Sequence, residues 1–125
     1  MPGPMPIRAI RGAITAPENS REAIEQATGL LLRALIEDNG LLASEVIAAT
    51  FSVTSDLDQV YPAEVARGLG WTEAALMCVQ EMQVEGALNQ CIRVSVLWET
   101  DRLQSEVRHR YMRGAADLRK DLSGN

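Results

Sequence analysis

The sequence predicts an α+β fold: one compact domain with a mixed β-sheet, one long helix and one or two short ones. Three observations lead there. The chain has 125 residues, 46% of them apolar, which suits a single domain with a real core and no need of staples. Strand-like and helix-like patterns alternate along it. The helices they allow are too few to cover both faces of a long sheet, so one face is left open and a homo-oligomer is expected.

Met1 to Pro6 hold three of the five prolines and read as a disordered extension, leaving a domain over 7–122 and a flexible tail over 123–125. Ile7 to Ile14 is the first strand candidate, ended by Ala16-Pro17. Asn19 followed three residues later by Glu22 reads as a capping box. Ile24, Ala27, Leu31 and Leu35 then recur at helical spacing up to the stop signal Asn39-Gly40. Beyond Ala43-Ser44-Glu45, Val46 to Val53 reads as a strand buried on both faces, broken by Thr54-Ser55-Asp56. Tyr61-Pro62 opens a short helix that Gly68 and Gly70 end. Ala74 to Gln80 and Cys91 to Trp98 are the next two strands, joined by a polar loop around Gln83 to Asn89. Gln104 to His109 reads as one or two helical turns, and Tyr111 to Leu118 as a last, weaker strand.

Composition excludes several classes of function. Twelve basic against seventeen acidic residues give a net charge of −5, so the chain lacks the positive field that nucleic acid or an anionic membrane surface requires. No apolar run reaches the roughly 20 residues of a membrane helix, and no signal pattern opens the sequence, so a cytoplasmic protein is expected. Cys78 and Cys91 do not make a disulfide scaffold. With His109 as the single histidine, no cluster has metal-ligand spacing, and no glycine-rich nucleotide motif or serine-hydrolase motif is present. No metal and no cofactor are expected.

The charges that a core does not explain are more informative. Arg93 lies in an otherwise apolar strand, sharing a face with Cys91, Ser95 and Leu97. A guanidinium there must meet an anion, because an isolated buried charge costs several kcal/mol. That anion is either a structural partner such as Glu81 or a ligand. Arg11 poses the same question in the first strand. On the residues alone Cys78 reads as a small core residue, Tyr111 as a core aromatic with a surface hydroxyl, and His109 as a solvated helix-end residue.

The motifs Ile10-Arg11-Gly12-Ala13, Thr54-x-Asp56-Leu57, Tyr61-Pro62-Ala63-x-x-x-Arg67, Cys78-x-Gln80-Glu81-Met82, Gly86-x-Leu88, Cys91-Ile92-Arg93-Val94, Arg108-His109-x-Tyr111 and Leu118-Arg119 follow one another in order. With them the chain resembles the monofunctional chorismate mutases of the small α/β, trimeric class, collinearly from Ile7 to Leu122. The resemblance implies a homotrimeric pseudo α/β-barrel with active sites at the subunit clefts. It also implies the intramolecular rearrangement of chorismate to prephenate on the way to phenylalanine and tyrosine.

Carried over by resemblance, Arg11 grips a substrate carboxylate to which Tyr111 donates, and Arg93 faces the breaking ether oxygen. Glu81 and Cys78 hold the ring hydroxyl, with Met77 beside Cys78 in the binding set. Tyr61 and Ala63 pack the ring from the adjacent subunit, Arg67 and Arg119 flank the mouth, and Leu118 makes the contact beside it. Arg93, Glu81 and Arg11 form the catalytic set. Tyr61 stands where phenylalanine is more usual, and Asp117 and Lys120 where the family prefers an apolar residue and a proline. Glu81 and Cys78 have opposite strand parity, so both face one site only if the strand bends or ends there. The alternative reading is a trimeric ligand-binding or regulatory protein of similar fold that senses an anionic metabolite. A hydrolytic deaminase of similar fold would lack the Cys-x-Gln-Glu and Cys-Ile-Arg pair.

Overall fold

The structure, a computed structural model, describes residues 5–119. Most of the expected extension and all of the expected tail lie outside the described residues. Pro6 is already tied to the fold, its carbonyl accepting the Thr100 N–H at 2.9 Å.

Alternation of apolar and small or polar residues builds the first strand, β1 (Ile7–Thr15). Ile10, Gly12 and Ile14 face one way, and Ala9, Arg11 and Ala13 the other. Helix α1 (Arg21–Asn39) is capped by Ser20, whose Oγ accepts the Ala23 N–H at 3.1 Å. This corrects the expected capping box, because Asn19 is occupied elsewhere: its amide exchanges two hydrogen bonds with Asp58. The bond that Asn19 donates to the carboxylate, and a second from the Gln59 amide, hold the Asp58 carboxyl below the usual carboxylate range. The predicted stripe of Ile24, Ala27, Leu31 and Leu35 is fully buried, and Gly40 ends the helix in the left-handed region at φ 63°. After a 3₁₀ turn over Ala43–Glu45 come β2 (Val46–Val53) and α2 (Pro62–Gly68), which starts on proline as expected. Then follow β3 (Ala75–Gln80), β4 (Cys91–Glu99), a 3₁₀ turn over Gln104–Glu106, β5 (Arg110–Met112) and a 3₁₀ turn over Arg113–Ala115.

The five strands form one mixed sheet in the order β3-β2-β4-β1-β5. β4 runs antiparallel to both β1 and β2, whereas β3 and β5 run parallel to their neighbours. Helices α1 and α2 pack on one face, where Ile10, Ile14, Phe51, Ile92, Val94, Val96 and Trp98 meet Leu31, Leu35 and Trp71 in one core. Gly12 belongs to that face for lack of room: a Cβ there would lie 3.0 Å from Leu31 Cδ1 and 3.0 Å from the Arg110 carbonyl.

The opposite face is open, and it corrects the expectation for β2. Phe51 and Ala49 are buried, but Thr50 is exposed, so this strand is covered on one side only. Ser95 and Leu97 of β4 are likewise exposed beside Met77 and Val79 of β3. The C-terminal stretch is less regular than its residues predict. Only Gln104–Glu106 is helical in the expected turns, and β5 is three residues long, because Gly114 and the left-handed Arg113 at φ 54° turn the chain back against Thr15. The outer edge of β1 is finished by side chains before β5 begins. The Gln104 amide exchanges bonds with the N–H and carbonyl of Ala9, and His109 Nδ1 accepts the Arg11 N–H at 2.9 Å. His109 is therefore part of the sheet edge rather than a helix end.

Candidate active site

Sheet register assembles the first group of expected residues. Arg11 lies opposite Ser95, and Arg93 lies opposite both Ala13 and Ser52. The two arginines are thus diagonal neighbours on the open face, a spacing of roughly 7–8 Å in any antiparallel pair. β5 places Tyr111 opposite Ala13, buried against Cys91 and Ala115. Arg11, Arg93, Tyr111 and Glu81 line one cavity of about 210 Å³ together with Thr50 and Ser52. Tyr111 is thus a wall of this cavity and part of a small second core at once.

Glu81 has the strand parity of Met77 and Val79 and so faces the open side, just past the end of β3. Its N–H donates to the Val53 carbonyl at 2.8 Å, and its Oε2 accepts the Ser52 hydroxyl. The same oxygen lies 3.6 Å from Arg93 Nε. That contact is longer than a hydrogen bond, and Nε, though buried, makes none among the described residues. Glu81 therefore compensates the charge of Arg93 without saturating its donors.

A second group gathers around the start of α2. Cys78 pairs in register with buried Phe51, so it points to the helix side of the sheet. Burial pushes its thiol up, while the Ala63 N–H and the Arg67 charge nearby pull the other way. Ala63 is buried, whereas Tyr61 is 67% exposed at the rim of a cavity of about 460 Å³ that Cys78, Leu57 and Arg21 also line. Met77, 59% exposed, faces the open side opposite Thr50 instead.

Cys78 and Glu81 thus lie on different sides of β3, and one chain does not bring them into one cavity. The strand does end at Gln80, yet the opposite parity of the two side chains is kept, Cys78 on the helix side and Glu81 on the open side. Leu118 packs beside Tyr111 and Ala115, and its N–H donates to the Ala115 carbonyl at 3.0 Å. Arg119 follows it, half-buried, and Lys120 lies outside the described residues.

Sequence reasoning missed Ser52 as the hydroxyl on Glu81 and His109 as the acceptor behind Arg11. Neither residue type carries a signal for such a role without the register. Among the described residues no group of histidine, cysteine and carboxylate side chains has the spacing to hold a metal. Two cations, one carboxylate and one phenol converging on a small cavity can fix a compact dianion that also carries a hydroxyl.

A family model described as chorismate mutase type I matches residues 7–122. The chain is 48% identical over 117 residues to the chorismate mutase AroH of Thermus thermophilus, covering 93% of this chain and 96% of that one. It is 42% identical over 120 residues to the AroH enzyme of Bacillus subtilis (strain 168), covering 95% and 94%. Among solved structures, a chorismate mutase from Clostridium thermocellum superposes with a TM-score of 0.83 at 44% identity, covering 86% of this chain and 96% of that chain.

Proposed function

The chain belongs to the type I chorismate mutase family, and from that premise we propose how its cavity turns chorismate into prephenate. The reaction is a [3,3] rearrangement within one molecule: an ether carbon–oxygen bond breaks, a carbon–carbon bond forms, and no proton is transferred. A site for it needs neither nucleophile nor general base. It must hold the compact, chair-like conformer of a flexible dianion, which is an effect of orientation. It must also stabilise the negative charge that collects on the ether oxygen as bond breaking runs ahead.

Arg93 carries that second task. The observation behind this assignment is the buried Arg93 Nε without a hydrogen bond, 3.6 Å from a carboxylate that already accepts the Ser52 hydroxyl. A structural ion pair would use that donor; here the guanidinium, which lines the cavity, is left to meet an oxygen that arrives with the substrate. A preorganised cation at this atom binds the transition state more tightly than the ground state, which is the kind of binding that raises the rate. Arg11, one diagonal step away, holds a carboxylate with the Tyr111 phenol, and Glu81 takes the ring hydroxyl.

The remaining contacts come from another copy. Cys78, Tyr61 and the α2 residues Ala63 and Arg67 do not line the Arg93 cavity of their own chain, and the open sheet face exposes Met77, Val79 and Leu97. A homotrimer that buries this face and seats one chain's α2 group against the next chain's Arg93 cavity satisfies both facts. Leu118 and Arg119 close its mouth. No described helix is long and apolar enough to cross a membrane, and we place the enzyme in the cytoplasm, in aromatic amino-acid biosynthesis. Loss of chorismate absorbance with purified protein, and formation of prephenate, tests the activity. An unchanged chorismate signal would overturn it.

A further inference from the structure

Thr54-x-Asp56 is a motif that the active site leaves without a task. We infer that Asp56 and Thr54 are positioning residues for Arg93, acting through the backbone where the 81–90 loop enters β4. The inference rests on the reading of Arg93 given above.

Both oxygens of Asp56 accept the Gln90 N–H, at 3.2 and 3.0 Å. Thr54 Oγ1 donates to Asp56 at 2.5 Å and accepts the Cys91 N–H at 3.0 Å. The Thr54 N–H in turn donates to the Cys91 carbonyl at 3.1 Å. Gln90 sits at φ 50°, a left-handed conformation that a residue with a Cβ leaves unless its surroundings hold it. The carboxylate on its N–H is such a hold. Arg93 follows three residues later on the face of Cys91, so the direction in which β4 starts decides where its guanidinium points. The same turn serves the other end of the loop, because the Val53 carbonyl just before Thr54 accepts the Glu81 N–H. One clasp over Val53–Asp56 thus sets both flanks of the loop whose ends carry Glu81 and Arg93.

A turn that merely stabilised the fold would leave catalysis per active molecule unchanged. The test compares kcat, KM and thermal unfolding of the full chain for Asp56→Ala, Asp56→Asn and Thr54→Val, each with native Arg93 and with Arg93→Gln. Asp56→Ala is expected to lower kcat about 10- to 100-fold with KM little moved, the scale of a small misplacement at a reacting atom. Asp56→Asn, which keeps an acceptor oxygen in place, recovers most of it. In the Arg93→Gln background the same Asp56→Ala change costs less than about twofold, since it acts through the missing group. Should Asp56→Ala fail to fold, Thr54→Val removes one hydroxyl at constant shape and takes its place in the comparison. Unchanged kcat with a lowered Tm, or equal losses in both backgrounds, overturns the inference. Full turnover by Arg93→Gln alone removes Arg93 from the reaction, and this inference with it.

Discussion

Arg93 Nε and Glu81 Oε2 lie 3.6 Å apart although eleven residues of chain separate them, and neither group is spent on the other. Ser52 supplies the hydrogen bond that the carboxylate takes. The pair therefore balances charge while Arg93 Nε makes no hydrogen bond among the described residues, which is the state the proposed mechanism requires.

Arg93→Gln follows directly. The amide keeps length and a donor but removes the charge, so fold and assembly are expected to persist while turnover drops by several kcal/mol in barrier, the scale of losing a key oxyanion group. Steady-state kinetics beside gel filtration checks it, and near-native kcat would take the role away from Arg93.

In the proposed mechanism Arg11 holds charge that is present in substrate and transition state alike. Arg11→Ala should raise KM more than it lowers kcat, as loss of uniform binding does. The reverse pattern would reassign it to the reacting centre.

A site shared between chains can be rebuilt from two defective ones. Arg93→Gln and Arg67→Ala chains, each nearly inactive, are unfolded and refolded together in equal amounts. Three-quarters of random trimers then contain both types, and each of these has one cleft with two native halves, so roughly a quarter of all sites recover in a cyclic three-fold assembly. Activity at the mean of the two parents, with mixed trimers seen by native mass spectrometry, would mean that each site is built within one chain.

Gly12→Ala puts a Cβ 3.0 Å from both Leu31 Cδ1 and the Arg110 carbonyl. Overpacking of this kind costs about 1–3 kcal/mol. Urea unfolding is expected to show a lower midpoint at unchanged slope, and an unmoved midpoint would show that the helix face has slack there.

Burial pushes the Cys91 thiol above its ordinary value of 9.0, against a smaller opposite pull from Arg93. The folded chain therefore holds this proton more tightly than the unfolded one. The associated stability is complete below pH 9 and is lost as pH rises through the higher folded-state value. The stability difference between the native chain and Cys91→Ala should accordingly shrink above pH 9, read as urea midpoints over pH 7–10. A constant difference would place the thiol in an environment that does not resist ionisation.

Much of this was legible before any coordinates. The apolar stripe of α1, its Asn39-Gly40 stop, the proline start of α2 and the strand around Arg93 follow from local rules of spacing and backbone freedom. What local rules miss is competition at a distance. Asn19 has a cap's chemistry, yet Asp58 claims it from 39 residues away and Ser20 takes the cap. The run of apolar residues in β2 says that it is buried somewhere, not that one side is left exposed. Tyr111 to Leu118 carries strand-like residues, but Gly114 fits where Thr15 crowds any Cβ, at 3.0 Å, and the strand stops early. At the site, parity already sets Cys78 apart from Glu81, and the pairing of Cys78 with buried Phe51 shows that they stay apart although β3 ends between them.

The side-chain finish on β1 bears on how such chains meet. Strand edges with free N–H and C=O rows invite any other extended segment to join them, and natural sheets defend them. Gln104 and His109 occupy that row on β1 up to the point where β5 takes over. On the far flank β3 has a partner on one side alone among the described residues. In a single chain the row at Ala9 and Arg11 of β1 is therefore closed to strand addition, while the outer edge of β3 is receptive to it.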